Sequence, residues 1–165
     1  MQKQRQWAVL MSLLVVMGCG SAPSIDAIAE TDTSQTGQML PIEATLDIGE
    51  TTLELEVART STEQALGLMF RESLPADRGM LFPFYEERFT QFWMYNVKFP
   101  LDMVFLNSGK IVALETNVPP CTAEPCPTYG PPVFVDTVLE LNGGRAAELG
   151  LTRGQQLTIE YLDKP

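Results

Sequence analysis

The chain has 165 residues, 45% of them apolar, a formal charge of −10 and no histidine. That length holds one domain with a real core, plus a leader. The negative balance argues against nucleic acid or an anionic membrane surface as a direct partner. The missing histidine removes Ser-His-Asp and Cys-His catalysis, together with the commonest ligand for zinc or copper.

In chain order, residues 1–18 read as an export signal. Lys3 and Arg5 give a positive start, and Trp7 to Met17 is an apolar run too short to span a bilayer, which takes about 20 residues. The run ends Val16-Met17-Gly18-Cys19, which resembles the lipobox of bacterial lipoproteins. That resemblance implies cleavage before Cys19, diacylation of its sulfur, and a protein anchored to a membrane face in the cell envelope, on the periplasmic side. Residues 19–40 are small, polar and acidic, and bury too little surface to offset their ordering entropy. They read as a flexible tether reaching on the order of 25 Å. A single globular domain then occupies residues 41–165.

Ile42 to Ile48 and Thr51 to Val57 flank a Gly49-Glu50 turn and predict a hairpin, with Leu53, Leu55 and Val57 on one face and a polar side opposite. Thr60 with Glu63, and Ser61 with Gln64, make two overlapping capping boxes before a short helix carrying Ala65, Leu66 and Met69. Gly67 limits that helix to two turns. Residues 71–79 form a polar loop, and Met80 to Phe82 a strand that stops at Pro83. The most informative stretch is 89–106, FTQFWMYNVKFPLDMVFL. An aromatic strand, Phe89 to Tyr95, breaks at Asn96-Val97 and Phe99-Pro100, and a nearly all-apolar strand follows from Leu101 to Leu106. Asp102 is the one polar residue in that second run. A carboxylate there is either at a wet strand end or paired, because an unpaired buried charge is expensive.

A turn at residues 107–109 leads into a strand over Lys110 to Val118, paired with 101–106. Residues 119–132 hold six prolines without periodicity and read as a stiff loop. Val133 to Leu141 is a further strand with Asp136 and Glu140 as its acids. Asn142 caps a short helix, Gly143 to Leu149, and Gln155 to Leu162 is a last strand. The sum is a mostly β (α+β) domain: a compact, partly closed β-barrel or sandwich of about seven strands with two short helices.

Cys121 and Cys126 are an even pair in the proline loop of an exported chain, which reads as a disulfide. A redox pair usually has two intervening residues rather than four, and zinc needs two further ligands. No cofactor is called for.

Several blocks also resemble a known family. Glu63-Gln64-Ala65-Leu66-Gly67-Leu68-Met69-Phe70-Arg71 is similar to the opening motif of the domain-of-unknown-function 192 family. Gly79-Met80-Leu81-Phe82, Phe92 to Asn96, Pro100 to Leu106, the Pro120-Cys121 to Tyr129 loop, and Val138 to Leu141 before Gly143-Gly144 resemble its later blocks in order. Tyr95 and Val97 stand where many members have Lys and Thr. The resemblance implies a compact, mostly β domain, often exported behind a signal or lipid anchor, and assigns no activity. Its blocks place Met69, Arg71, Trp93, Met94, Asn96, Asp102 and Glu140 at strand or helix ends.

Those seven residues are the candidate ligand-binding set. Arg, Asp and Asn around an aromatic platform suit a small polar ligand or sugar, although Arg71 and Asp102 equally suit a plain structural ion pair. A carboxylate pair, Asp102 with Glu140 or Asp136, would suit hydrolysis of envelope glycans. Met69, Met80, Met94 and Met103 near Trp93 would suit Cu(I), or simply fill core gaps. The proline loop would suit contact with an envelope protein. Of these, a ligand-binding or accessory module without catalysis is the expected function. Replacing Cys19 by Ser is expected to release the protein from membranes, read by fractionation; retention in the membrane pellet would contradict the lipid anchor.

Overall fold

The computed structural model describes residues 36–162. The expected leader, Cys19 and residues 19–35 of the expected tether lie outside the described residues.

The chain opens with a hairpin of β1 (Ile42–Ile48) and β2 (Thr51–Val57). Gly49 takes φ +61° at the first central position of its turn, where a side chain would strain the backbone. Next comes α1 (Ser61–Leu66), whose N-cap Thr60 accepts from the Glu63 N–H while the Glu63 carboxylate accepts from the Thr60 N–H. The first predicted capping box therefore forms. The second does not, because the Gln64 side chain donates instead to the carbonyls of Ala58 and Pro83, at 3.1 and 2.9 Å.

Then follow β3 (Arg78–Arg88), β4 (Phe92–Trp93), β5 (Leu101–Asn107), β6 (Lys110–Val118), β7 (Thr128–Tyr129), β8 (Val135–Asn142), α2 (Arg145–Glu148) and β9 (Ile159–Tyr161). Seven strands form one sheet in the order β6-β5-β8-β3-β2-β1-β9, and β4 pairs with β7 in a small second sheet. Only β2 and β3 run parallel. The sheet is not closed into a barrel. Its edges meet at one isolated bridge, Lys110 to Gln156, where the Ile111 N–H donates to the Gln155 carbonyl and the Leu157 N–H to that of Gly109.

Three departures from the sequence expectation have clear causes. Strand β3 continues through Pro83 rather than stopping there. Leu81 and Pro83 share an orientation, and β2 has already ended against Leu81, so proline's missing N–H falls on a free edge. The aromatic strand expected from Phe89 to Tyr95 shortens to Phe92–Trp93, because its partner is only the two-residue strand inside the proline loop. Asn142 does not cap α2. Its side chain donates to the Leu74 and Pro75 carbonyls, and the N-cap is Gly144 at φ +87°. The proline loop is closed by a disulfide between Cys121 and Cys126, with Cα atoms 5.7 Å apart.

Alternation along the strands gives the sheet two buried faces. One packs Leu46, Leu55, Leu81, Val104, Leu139 and Leu141 against Ala146, Leu151 and Leu157 from the C-terminal segment. The other packs Met80, Phe82, Met103, Phe105 and Val138 against Leu68, Met94 and Val97, from the two turns that cross over it.

The expected polar side of the first hairpin is covered at one end. Glu56 is buried there and takes two hydrogen bonds from the Arg71 guanidinium, at 2.7 and 2.5 Å. The same carboxylate accepts the Leu40 N–H at 2.7 Å, and Gln38 donates to the Glu63 and Gly67 carbonyls. Arg71 thus pairs with Glu56, not with Asp102. Arg71→Met is expected to lower stability by about 3–5 kcal/mol, since it leaves a buried carboxylate alone. Arg71→Met with Glu56→Leu should recover most of that, short of about 1 kcal/mol for the Leu40 N–H. Urea unfolding of the three variants checks both statements.

Candidate functional site

Two buried acids stand in neighbouring strands and meet opposite fates. Asp102, on β5, is 0% exposed and alternates with Met103, so it faces the side of Val104 and Leu106. Three backbone N–H groups donate to its carboxylate: Asn117 at 2.6 Å, Gly144 at 2.9 Å and Ala146 at 2.7 Å. Two of the three come from the start of α2, whose glycine N-cap has no side chain to do the same work. Asp102 is a structural staple, with both carboxylate oxygens engaged.

Glu140, on β8, points to the other face. It is 4% exposed, and its register neighbours are Met80 on β3 and Met103 on β5. No hydrogen bond or ion pair reaches its carboxyl from the described residues. Burial alone pushes the group from its ordinary 4.5 up to about 8. The carboxyl borders a cavity of about 40 Å³ roofed by residues 64–69, with Phe82, Phe92, Trp93 and Val97 as the remaining wall. That small chamber adjoins an outer cleft of about 390 Å³. The two share Gln64, Ala65, Phe82, Phe92 and Trp93, and Ser61, Arg88, Thr90 and Gln91 form the outer rim.

The roof is held from several sides. Gln64 ties it to the middle of β3, at Pro83, and Gln38 ties the last turn of α1 to the segment before β1. Gly67, at φ +48°, passes over Phe82; a Cβ there would lie 3.4 Å from the ring. Phe70 and Asn96 both take positive φ, +64° and +56°, and the Phe70 N–H donates to the Asn96 carbonyl at 2.9 Å. An aromatic residue in that conformation is uncommon, and the bond between the two turns holds it there. The Met94 carbonyl accepts the Val97 and Cys121 N–H groups, which links the second turn to the disulfide loop. Beyond this junction an open groove of about 720 Å³ runs between Phe70, Asn96, Lys98 and the Cys121–Cys126 loop.

The candidate residues therefore divide. Met69, Trp93 and Glu140 come together at the cavity. Met94 is core, and Asn96 lines the outer groove through its turn. Arg71 and Asp102 are engaged elsewhere. Asp136 accepts the Ser108 N–H at 2.5 Å, four residues along β8 from Glu140. The three acids proposed as pairs are thus kept apart. The four methionines do share one region: Met80, Met94 and Met103 belong to the same core cluster, and Met69 packs against it. Among the described residues no group of three or more His, Cys, Asp or Glu side chains is placed to hold a metal ion. Gln64, Phe82, Phe92 and Val97 were not in the candidate set. The apolar members carry no signal separable from ordinary core, and Gln64 read as a helix cap.

Folded, Glu140 ionises near 8, and unfolded near 4.5. Between those pH values the native chain holds the extra proton, so stability is full below the window, falls as pH rises through it, and levels off above about 8. The slope from one such group is about 1.4 kcal/mol per pH unit. Glu140→Gln is expected to melt with the wild type near pH 5 and above it at pH 8. Parallel melts from pH 5 to 9 check this.

Comparison with known proteins bears on the whole domain. The family model DUF192, described as "Uncharacterized ACR", matches residues 44–159. A protein of unknown function from Novosphingobium aromaticivorans DSM 12444 superposes with a TM-score of 0.62 at 33% identity, over 70% of this chain and 83% of that one. A protein of Sinorhizobium meliloti 1021, titled as a proposed transcription regulator, gives 0.64 at 32% identity, over 76% and 98%. No curated protein matches. The chain belongs to the DUF192 family, a family without an assigned activity.

Proposed function

We propose that this chain is an envelope-anchored binding module that takes a small polar ligand at the Glu140 cleft and does no chemistry on it. The observation that carries this is the Glu140 carboxyl itself: buried, without a partner, and bordering a cavity with an aromatic wall. A buried polar group left unpaired lowers stability, and a ligand that supplies the partner recovers that loss. Trp93, 47% exposed and lying 5.2 Å from the Tyr95 ring, gives the cleft an aromatic lip open to solvent.

Binding is favoured over hydrolysis because a glycosidase needs two carboxyl groups across one scissile bond. Here Asp102 faces the other side of the sheet with both carboxylate oxygens held by backbone N–H groups, and Asp136 is bound to the Ser108 backbone. The lipid on Cys19 and the tether after it would hold the cleft near a membrane face. The charge of −10 argues against carrying a role on DNA over from the Sinorhizobium protein. Cu(I) is the second reading, favoured by the four methionines in one region.

A thermal-shift screen of the mature protein against sugars, small acids, amines and Cu(I) tests the site. A ligand at a hundredfold its dissociation constant adds about 2.7 kcal/mol. The expected result is a shift that Glu140→Gln abolishes and Trp93→Ala reduces. A shift indifferent to both variants would move the site elsewhere.

A further inference from the structure

Resting on the reading of the Glu140 cleft as a binding site, we infer that its ligand is a small organic cation with a primary ammonium head. The first reason is hydrogen-bond capacity. Both donors of the Gln64 amide are spent on the Ala58 and Pro83 carbonyls, which leaves its oxygen. The N–H groups of Gly67 and Met69 are spent on the carbonyls of Glu63 and Leu66. Apart from the half-exposed Trp93 indole N–H, what the chamber's side chains have left to offer once Glu140 is ionised is acceptors, its carboxylate above all, and an ammonium brings three donors and no acceptor.

The second reason is charge. The cations of the surrounding elements already have partners. Arg71 is held by Glu56, Lys98 by Glu72, and the Arg88 guanidinium lies 3.8 Å from the centre of the Phe84 ring. A counter-charge for Glu140 has to arrive from outside, and a chain of charge −10 attracts cations. The third reason is the wall. Phe82 and Phe92 meet edge to face at 5.2 Å, and Trp93 completes an aromatic surround of the kind that stabilises organic cations.

Size sets the rest of the ligand. A chamber of about 40 Å³ takes an ammonium and a methylene or two, not a sugar ring. The tail would lie in the outer cleft, where Arg88 disfavours a second positive charge. A monoamine therefore fits better than a polyamine.

Entry of the ammonium converts the neutral Glu140 acid to a carboxylate and releases one proton to solvent, while the amine keeps its own. The groups facing Glu140 are Met80 and Phe82 from β3, Met103 from β5, Gln64 and Met69 from the roof, and Phe92, Trp93 and Val97 beyond; none of them ionises. Affinity should accordingly tighten about tenfold per pH unit below the ionisation of Glu140 and flatten above it.

Calorimetry on the mature protein at pH 6, 7, 8 and 9, with n-pentylammonium, n-pentanol and spermidine as probes, tests this. The expected result is that pentylammonium binds about tenfold tighter at pH 7 than at pH 6, changes little between pH 8 and 9, and outcompetes the other two. Glu140→Gln should abolish its binding, and Trp93→Ala should weaken it. Pentanol binding as well as the amine, or amine binding that does not change between pH 6 and 8, would overturn the ammonium assignment. Neutral-ligand binding lost in Glu140→Gln would leave the cleft a binding site for another class, whereas binding unaffected by that variant would overturn both readings. The pH profile is read on the wild type, so it stands even if a variant fails to fold.

Discussion

Three backbone amides converge on the Asp102 carboxylate, and much of the domain's order depends on them. The Asn117 N–H comes from the end of β6, where that residue takes φ +49°. Gly144 and Ala146 come from α2, only four residues long. A helix that short is not stable alone and cannot satisfy its own first amides. The carboxylate holds both segments against β5. A second bond, from the Gly143 N–H to the Pro100 carbonyl, fixes where β8 ends. Since β5 and β8 are neighbours in strict register, locking both at this end also sets where Glu140 stands between Met80 and Met103.

On the opposite face the logic reverses. The sheet presents sulfur and aromatic side chains there, and Glu140 sits among them with no partner. An apolar side chain at that position would pack without penalty, so the acid is a local inconsistency of the kind that marks functional sites. Its surroundings are arranged around a gap. Gly67 lets the roof come close to Phe82, and the Phe70 N–H bond to the Asn96 carbonyl joins the two crossing segments beyond it. The result is a small chamber that adjoins the outer cleft through Gln64, Ala65, Phe82, Phe92 and Trp93. Satisfied acid and unsatisfied acid are separated by one sheet, and the first gives the second its position.

Much of the architecture was legible in the residues. Hairpin β1–β2 and hairpin β5–β6 follow from alternation and their Gly turns, and the Thr60 capping box from its spacing. The family blocks identified the domain. What was not legible depends on long-range neighbours. Pro83 reads as a strand stop until it is known that β2 ends two residues earlier. Glu56 reads as the wet side of a hairpin until Arg71 and Leu40 are seen over it. Asp102 and Glu140 looked alike as acids at the edge of apolar runs, and only the faces of the sheet distinguish them.

The account turns on one protonation state. Carbon-detected NMR of glutamate labelled at its side-chain carboxyl, followed from pH 4 to 10, reads that state in the folded protein. The prediction is one carboxyl resonance, missing in Glu140→Gln, that titrates near pH 8. If the resonance lost in that variant titrates near 4.5 instead, Glu140 is solvated or paired, and the cleft is not the site described.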